Sequence, residues 1–208
     1  MLIDWIEFGP ALVLLLTPIA LFAGERVSYR EISRDWSQHW SRALSHGHHA
    51  IDLLRAVLGA WLLTEALART PGVRGLAGQL VPLTQAGVLV SSVLIQTVVC
   101  RKLDSAHAPF AFVVGLLFGF LPPLIAVFGV VIALVIAVGV RAPAAFFPVL
   151  ALSVSAAGLF FTGRKFQIVL VIAAGAVLLP WLYSLLFRRE LVVPYRSRHT
   201  KPAVPLPQ

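Results

Sequence analysis

Long apolar segments dominate this chain and restrict its fold more strongly than any motif does. They cover residues 11–23, 50–68, 80–100, 108–140, 142–161 and 166–187. A helix needs about 20 apolar residues to cross a bilayer core of about 30 Å, and several segments are that long. Strands of a membrane barrel alternate over short stretches, and these segments do not. The sequence therefore predicts an all-α fold, a polytopic transmembrane helical bundle.

Composition and charge agree with a membrane protein. Hydrophobic residues make up 59% of the chain and charged residues 12%, whereas soluble domains average about 45–50% and about 25%. The net charge of +8 comes from cations between and after the apolar segments, where topology and anionic lipid explain them. We expect the lipid bilayer and anionic headgroups as partners, and no nucleic acid. Cys100 is the only cysteine, which excludes an intrachain disulfide.

The segment 108–140 is too long for one pass. As a single helix, its 33 uncharged residues would extend about 50 Å. Pro122 and Pro123 divide it, because a double proline removes two backbone donors. We predict two short passes or a re-entrant hairpin that turns at these prolines. Gly115 and Gly119 form a G-x-x-x-G motif, which predicts close packing between the two halves. A broken helix that exposes backbone to a substrate is the alternative.

The distribution of cations favours an even number of passes, or a re-entrant loop, across 108–140. With seven passes and the N-terminus outside, twelve cations are cytoplasmic and four are outside; with six passes, each side has eight. The positive-inside rule selects the first arrangement. We predict one domain over residues 1–187, with six to seven membrane segments in a bacterial inner membrane. Residues 188–208 are predicted to be a basic, proline-rich, disordered cytoplasmic tail.

The polar stretch 24–49 is patterned as an amphipathic helix. Tyr29, Ile32, Trp36, Trp40 and Leu44 recur at steps of three and four, and basic residues fall mostly on the other side. Such a helix can lie in the cytoplasmic interface, where Trp36 and Trp40 would anchor it. It can equally pack on the spans as a cap. The sequence leaves both interpretations open.

Histidines near one membrane face raise the possibility of a metal site. The candidate ligands are His46, His48, His49 and Asp52. Imidazole and carboxylate groups suit zinc, iron or copper, so a divalent metal is the one cofactor that the sequence suggests. The competing interpretation is an interfacial turn whose histidines hydrogen-bond lipid phosphate or water. The H-x-H-H spacing alone is only a weak signal for a metal site, so the turn is favoured and no cofactor is predicted.

The second and third spans carry most of the intramembrane polar residues. These are Asp52, Arg55 and Glu65 in the second span, and Gln85, Ser92 and Gln96 on one face of the third. Charges within spans are costly and are candidates for function. Asp52 and Arg55 can pair with each other, however, and Glu65 can reach the headgroups. The polar face is either a transport path or a set of interhelical hydrogen bonds.

No sequence motif for catalysis is present. The chain has no Walker loop, no G-x-G-x-x-G, no H-E-x-x-H and no G-x-S-x-G. We predict a non-enzymatic membrane-complex subunit or small transport-like protein that uses the polar residues of its second and third spans. Its partner would be another membrane protein or a second copy. A metal-dependent membrane enzyme built on the histidine cluster is the alternative hypothesis.

Overall fold

The described part of the chain is almost entirely helical. The computed structural model describes residues 4–18, 26–36, 47–68, 76–99, 104–162 and 167–194. In the range 76–99, side chains are described from residue 81 onward. The helices are α1 Trp5–Leu16, α2 Tyr29–Arg34, α3 Gly47–Ala68, α4 Leu76–Val98, α5 Phe110–Phe120, α6 Pro123–Gly139, α7 Phe146–Thr162 and α8 Gln167–Leu186. The strands are β1 Arg26–Ser28, β2 Ser105–His107 and β3 Glu190–Pro194. The all-α prediction is confirmed, with one small sheet that the sequence did not predict.

Three described helices are long and apolar enough to cross a membrane. They cover Val81–Val98, Pro143–Thr162 and Gln167–Leu186, while α1, α5 and α6 are apolar but shorter. Large apolar side chains point outward from α7 and α8: Leu152 is 72% exposed, Phe160 84% and Val171 71%. Large contiguous apolar patches are rare on water-soluble monomers. This surface is consistent with a helical membrane protein.

The double proline separates α5 from α6. Helix α5 ends at Phe120 and α6 begins at Pro123. The carbonyl of Pro122 accepts bonds from the amides of Ile125 and Ala126 at 3.0 and 3.2 Å. Proline has no backbone N–H, and at the start of a helix that donor would have no partner within the helix, so both prolines fit this boundary. The helices are about 17 and 25 Å long, both shorter than a bilayer core of about 30 Å.

The G-x-x-x-G motif of α5 packs against α3, which corrects the prediction that its partner is α6. A Cβ atom on Gly115 would lie 2.5 Å from the carbonyl oxygen of Leu53, and one on Gly119 would lie 2.5 Å from that of Val57. Such distances leave no room for a side chain. The motif thus brings the two helix backbones together, but between spans that are far apart in sequence.

The sheet gathers helix ends at one end of the bundle. Its strand order is β1-β3-β2, with β1 antiparallel and β2 parallel to β3. Strand β1 follows α1, β2 follows α4 and leads directly into α5, and β3 follows α8. The Ser33 hydroxyl donates to the carbonyl of Arg141 at 2.8 Å, which brings the α6–α7 connection to the same end. The segment from α5 to α6 therefore returns to the end where it began, as the cation distribution favours.

In the described part of the segment predicted as an amphipathic helix, Arg26–Ser28 form strand β1, and helix starts only at Tyr29. Ser28 caps α2: its hydroxyl accepts from the amide of Glu31 at 3.1 Å, and the Glu31 carboxylate accepts from the amide of Ser28 at 3.2 Å. Tyr29 and Ile32 are buried, and Trp36 packs against the core. In this part the apolar face packs on the bundle as a cap. Trp40 lies outside the described residues.

Candidate functional site

Buried polar side chains concentrate near the end of the bundle that carries the sheet. Those supplied by α3, α4 and β2 are Asp52, Arg55, Ser92, Gln96, Thr97, Ser105 and His107. Buried polar groups are costly unless they are hydrogen-bonded. Their partners therefore indicate what each of these side chains does.

Arg55 ties α3 to the end of α1. Its Nε donates to Asp52 Oδ1 at 2.8 Å, and its Nη1 donates to the carbonyls of Leu14 and Thr17 at 2.8 and 2.7 Å. The guanidinium carbon also lies 4.6 Å from the ring centroid of Phe112. The last carbonyls of a helix lack partners within the helix, and a cation there also interacts favourably with the helix dipole. Arg55 thus caps α1 from a neighbouring helix.

Gln96 brings α4 into the same arrangement. Its side-chain Nε2 donates to the carbonyls of Leu15 and Thr17 at 3.3 and 2.9 Å. The carbonyl of Thr17 therefore accepts from both Gln96 and Arg55. We call Asp52, Arg55 and Gln96 the polar cluster. It joins α1, α3 and α4 through contacts that all lie within the protein.

The rest of the predicted polar face does not continue the cluster. The Ser92 hydroxyl donates to the carbonyl of Leu89 in its own helix at 2.8 Å, a local bond of the kind hydroxyl side chains often make. Gln85 is half-buried, eleven residues from Gln96, or about 16 Å along the helix. Glu65 is half-buried in the last turn of α3, away from the sheet. The structure therefore brings together Asp52, Arg55 and Gln96, and not Glu65 or Gln85.

A small apolar cavity lies elsewhere in the bundle. It lies between α4, α5 and α8 and is lined by apolar side chains alone: Leu89, Val93, Val113, Leu116, Leu117, Phe120, Ala173, Ala176 and Val177. Cavities with such linings stay dry. Where α4 lines this cavity, its side chains are apolar, namely Leu89 and Val93.

The predicted histidine site is not assembled in the described part of the chain. His48 and His49 are half-buried in the first turn of α3, and Asp52 is engaged by Arg55. Across the described ranges, no three His, Cys, Asp or Glu side chains lie close enough to hold a metal ion. His46 lies outside these ranges.

His107 is a buried residue that the sequence analysis did not select. It is 2% exposed, and its Nδ1 has no hydrogen-bond partner among the described residues. Burial lowers the pKa of His107 from 6.5 to about 3, and the positive charges of Arg26, His49 and Arg55 act in the same direction. A backbone hydrogen bond at Val192 opposes the shift. The imidazole is therefore neutral in the folded protein.

We expect His107 to make stability depend on pH. Its folded pKa of about 3 lies below its ordinary value of 6.5, so between these values the unfolded chain binds a proton that the folded chain does not. The free energy of unfolding then rises with pH, by up to about 1.4 kcal/mol per pH unit from this group. Melting temperatures of the parent and of His107→Gln should be measured from pH 4 to pH 7.5. Parallel curves would contradict the assignment.

The two faces of the sheet differ in character. Val27, Ala106, Leu191 and Val193 alternate onto one face and belong to the apolar core. The strand register places the alternate positions on the opposite face. That face borders a cleft of about 490 Å³, which we call the polar cleft; its lining residues are Arg26, Ser28, Glu31, Asp104, Ser105, Glu190 and Val192. Sequence reasoning missed it because no strand was predicted.

Comparison of the chain with family models, curated proteins and solved structures gives no match.

Proposed function

We propose that this protein is a non-enzymatic subunit of a membrane complex, and that its polar cluster holds the helices together rather than carrying a solute. The observation that carries the proposal is the bonding of Arg55. Three of its hydrogen bonds go to protein acceptors in α1 and α3. Its Nη2 has no partner among the described residues, but these three bonds hold the side chain as a fixed part of the bundle.

A transport role is the weaker proposal because the polar groups do not line up across the bundle. The polar cluster lies at one end of α3 and α4, whereas Glu65 lies at the other. The cavity between α4, α5 and α8 has an apolar lining. Along the part of α4 that lines this cavity, a proton or solute would meet apolar side chains.

We also propose a bacterial inner membrane as the location, with the sheet end of the bundle in the cytoplasm. This orientation gives the cytoplasmic side twelve of the cations between and after the spans. It supports an N-terminus outside and a C-terminus inside. A C-terminal green fluorescent protein fusion should then fluoresce in cells; a dark fusion with an active alkaline phosphatase counterpart would contradict the orientation.

Co-purification tests the subunit proposal. The protein should be extracted from its native membrane in a mild detergent and analysed by native mass spectrometry. We expect a defined complex with a second membrane chain, or a homo-oligomer of fixed size. Recovery of the folded monomer alone under several mild detergents would contradict the proposal.

Proton flux tests the rival transport role. Proteoliposomes loaded with a pH-sensitive dye should be compared for the parent and for Glu65→Gln combined with Gln85→Leu. We expect the same flux as in empty liposomes for both proteins. A flux that the parent supports, and that the folded variant loses, would favour transport instead.

A further inference from the structure

Two exposed arginines lie in the same part of the surface, where α2 packs on the connection between α6 and α7. The Ser33 hydroxyl donates to the carbonyl of Arg141 at 2.8 Å, so the end of α2 lies against the residue that follows the C-cap of α6. Arg34 is the next residue along α2, and both arginines are exposed. Tyr29 and Ile32 bury the other side of this helix. We call Ser33, Arg34 and Arg141 the basic patch.

The positive charge of the basic patch is not compensated within the described residues. Neither the Arg34 nor the Arg141 guanidinium forms an ion pair there. The neighbouring carboxylate of Asp35 is half-buried and already has an interaction partner, and Glu190 pairs with Arg30 at 3.6 Å. The whole chain has nine acidic residues against seventeen arginine and lysine residues. The basic patch can therefore attract an anion from outside the chain.

Exposed valines of α6 lead up to Arg141. Val131, Val135 and Val138 recur at steps of four and three, so they lie on one face of the helix. All three are exposed, as is Val140 directly before Arg141. A continuous exposed apolar face of this kind fits contact with lipid chains better than contact with water. The basic patch lies at the end of this face, where arginine side chains reach the headgroups of a bilayer.

We propose that the basic patch binds the phosphate of an anionic phospholipid, phosphatidylglycerol, whose acyl chains lie along the exposed face of α6. A guanidinium donates charge-assisted hydrogen bonds to phosphate oxygens. Phosphatidylglycerol has a net negative charge, whereas the ammonium groups of phosphatidylethanolamine and phosphatidylcholine are repelled by arginine. The apolar face beside the patch favours an amphiphile over a free anion, because only an amphiphile covers both surfaces.

The inference goes beyond the proposed subunit function and does not depend on it. It uses the membrane character of the chain, the bond from Ser33 and the two exposed arginines, and it uses neither the polar cluster nor a partner chain. Lipid selectivity and complex formation are separate measurements. A failure of one proposal is therefore distinguishable from a failure of the other.

Lipid titration of the unmodified protein tests the proposal. Delipidated protein in a neutral detergent should be titrated with phosphatidylglycerol, phosphatidylethanolamine and phosphatidylcholine of the same short acyl chains, with binding followed by native mass spectrometry. We expect phosphatidylglycerol to bind at least about tenfold more tightly than either of the other two. Equal binding of all three would overturn the proposal. Soluble glycerophosphoglycerol or inorganic phosphate that competes at equal concentration would overturn the lipid source.

Arginine variants test the location of the site. Arg34→Gln and Arg141→Gln should each weaken phosphatidylglycerol binding about fivefold. Arg188→Gln is the matched control, because Arg188 is an exposed arginine just after α8 with a backbone φ of 51°, close to the 54° of Arg141. We expect its binding to be unchanged.

Two outcomes for these variants would overturn the site. Equal losses in all three variants would mean that the lipid responds to the general positive charge of the protein. Unchanged binding in folded Arg34→Gln and Arg141→Gln would place the lipid elsewhere. The lipid selectivity of the unmodified protein needs no variant and remains decisive if a variant misfolds.

Discussion

Replacement of Arg55 by methionine is expected to lower the free energy of unfolding by about 3–5 kcal/mol. The change strands the carboxylate of Asp52, whose exposed side-chain fraction is only 7%. It also removes the donor to the carbonyls of Leu14 and Thr17. Adding Asp52→Asn should recover part of the loss, because the stranded charge is then gone. Denaturant unfolding in a fixed detergent measures both effects.

Arg30→Met is the matched control for this prediction. It makes the same change in an arginine whose side chain is 90% exposed and whose ion-pair partner Glu190 is 3.6 Å away. We expect a change below about 1 kcal/mol. If Arg55→Met proved no more destabilising than Arg30→Met, Arg55 could not be the tie between α1 and α3.

Gly119→Ala is expected to destabilise the contact between α3 and α5 by about 1–3 kcal/mol. The added methyl would meet the carbonyl oxygen of Val57 at 2.5 Å and the Cβ of Ala60 at 2.7 Å. The nearest group is backbone, so no rotamer change can relieve the clash. Gly119→Leu should prevent the two helices from packing and abolish folding. The yield of monodisperse protein and its melting temperature report the result.

The control for Gly119 is a glycine in open space. A Cβ on Gly87 of α4 would meet nothing within 4 Å. Since alanine is the better helix former by up to about 1 kcal/mol, Gly87→Ala should be neutral or slightly stabilising. If Gly119→Ala lowers stability while Gly87→Ala does not, the loss comes from packing and not from helix propensity. Equal changes in stability would contradict the close approach of α3 and α5.

Sequence patterns predicted most of the long helices, because the length of an apolar segment determines how long a helix it can form. The segment 166–187 was predicted as a span, and α8 covers Gln167–Leu186. The break at Pro122 and Pro123 followed from the chemistry of proline, which has no backbone donor. These predictions need only local information, and their bounds agree with the structure to within a few residues.

The sheet and its polar cleft could not be predicted because they depend on contacts between distant parts of the chain. Strand β1 has three residues and pairs with β3 near the other end of the described chain. Strands so short show no recognisable alternation. The partner of the G-x-x-x-G motif was wrong for the same reason, since Gly115 gives no sign that α3 lies against it.

The polar cluster was predictable in part. The spacing of Asp52 and Arg55 indicated a pair at i, i+3, and the structure has that pair at 2.8 Å. The bonds from Arg55 and Gln96 to α1 require α1 to end near Thr17. The apolar segment 11–23 indicated a helix that continues beyond Thr17, so these carbonyls were not expected to need partners.

Gln96→Leu tests most directly whether the polar cluster is structural. Gln96 is 1% exposed and donates to the carbonyls of Leu15 and Thr17. The unfolding stability of the variant and its oligomeric or complexed state should be measured on the same preparation. We expect a loss of about 1–3 kcal/mol in stability, with assembly retained by the molecules that fold. Unchanged stability together with lost assembly would contradict a structural role for the polar cluster.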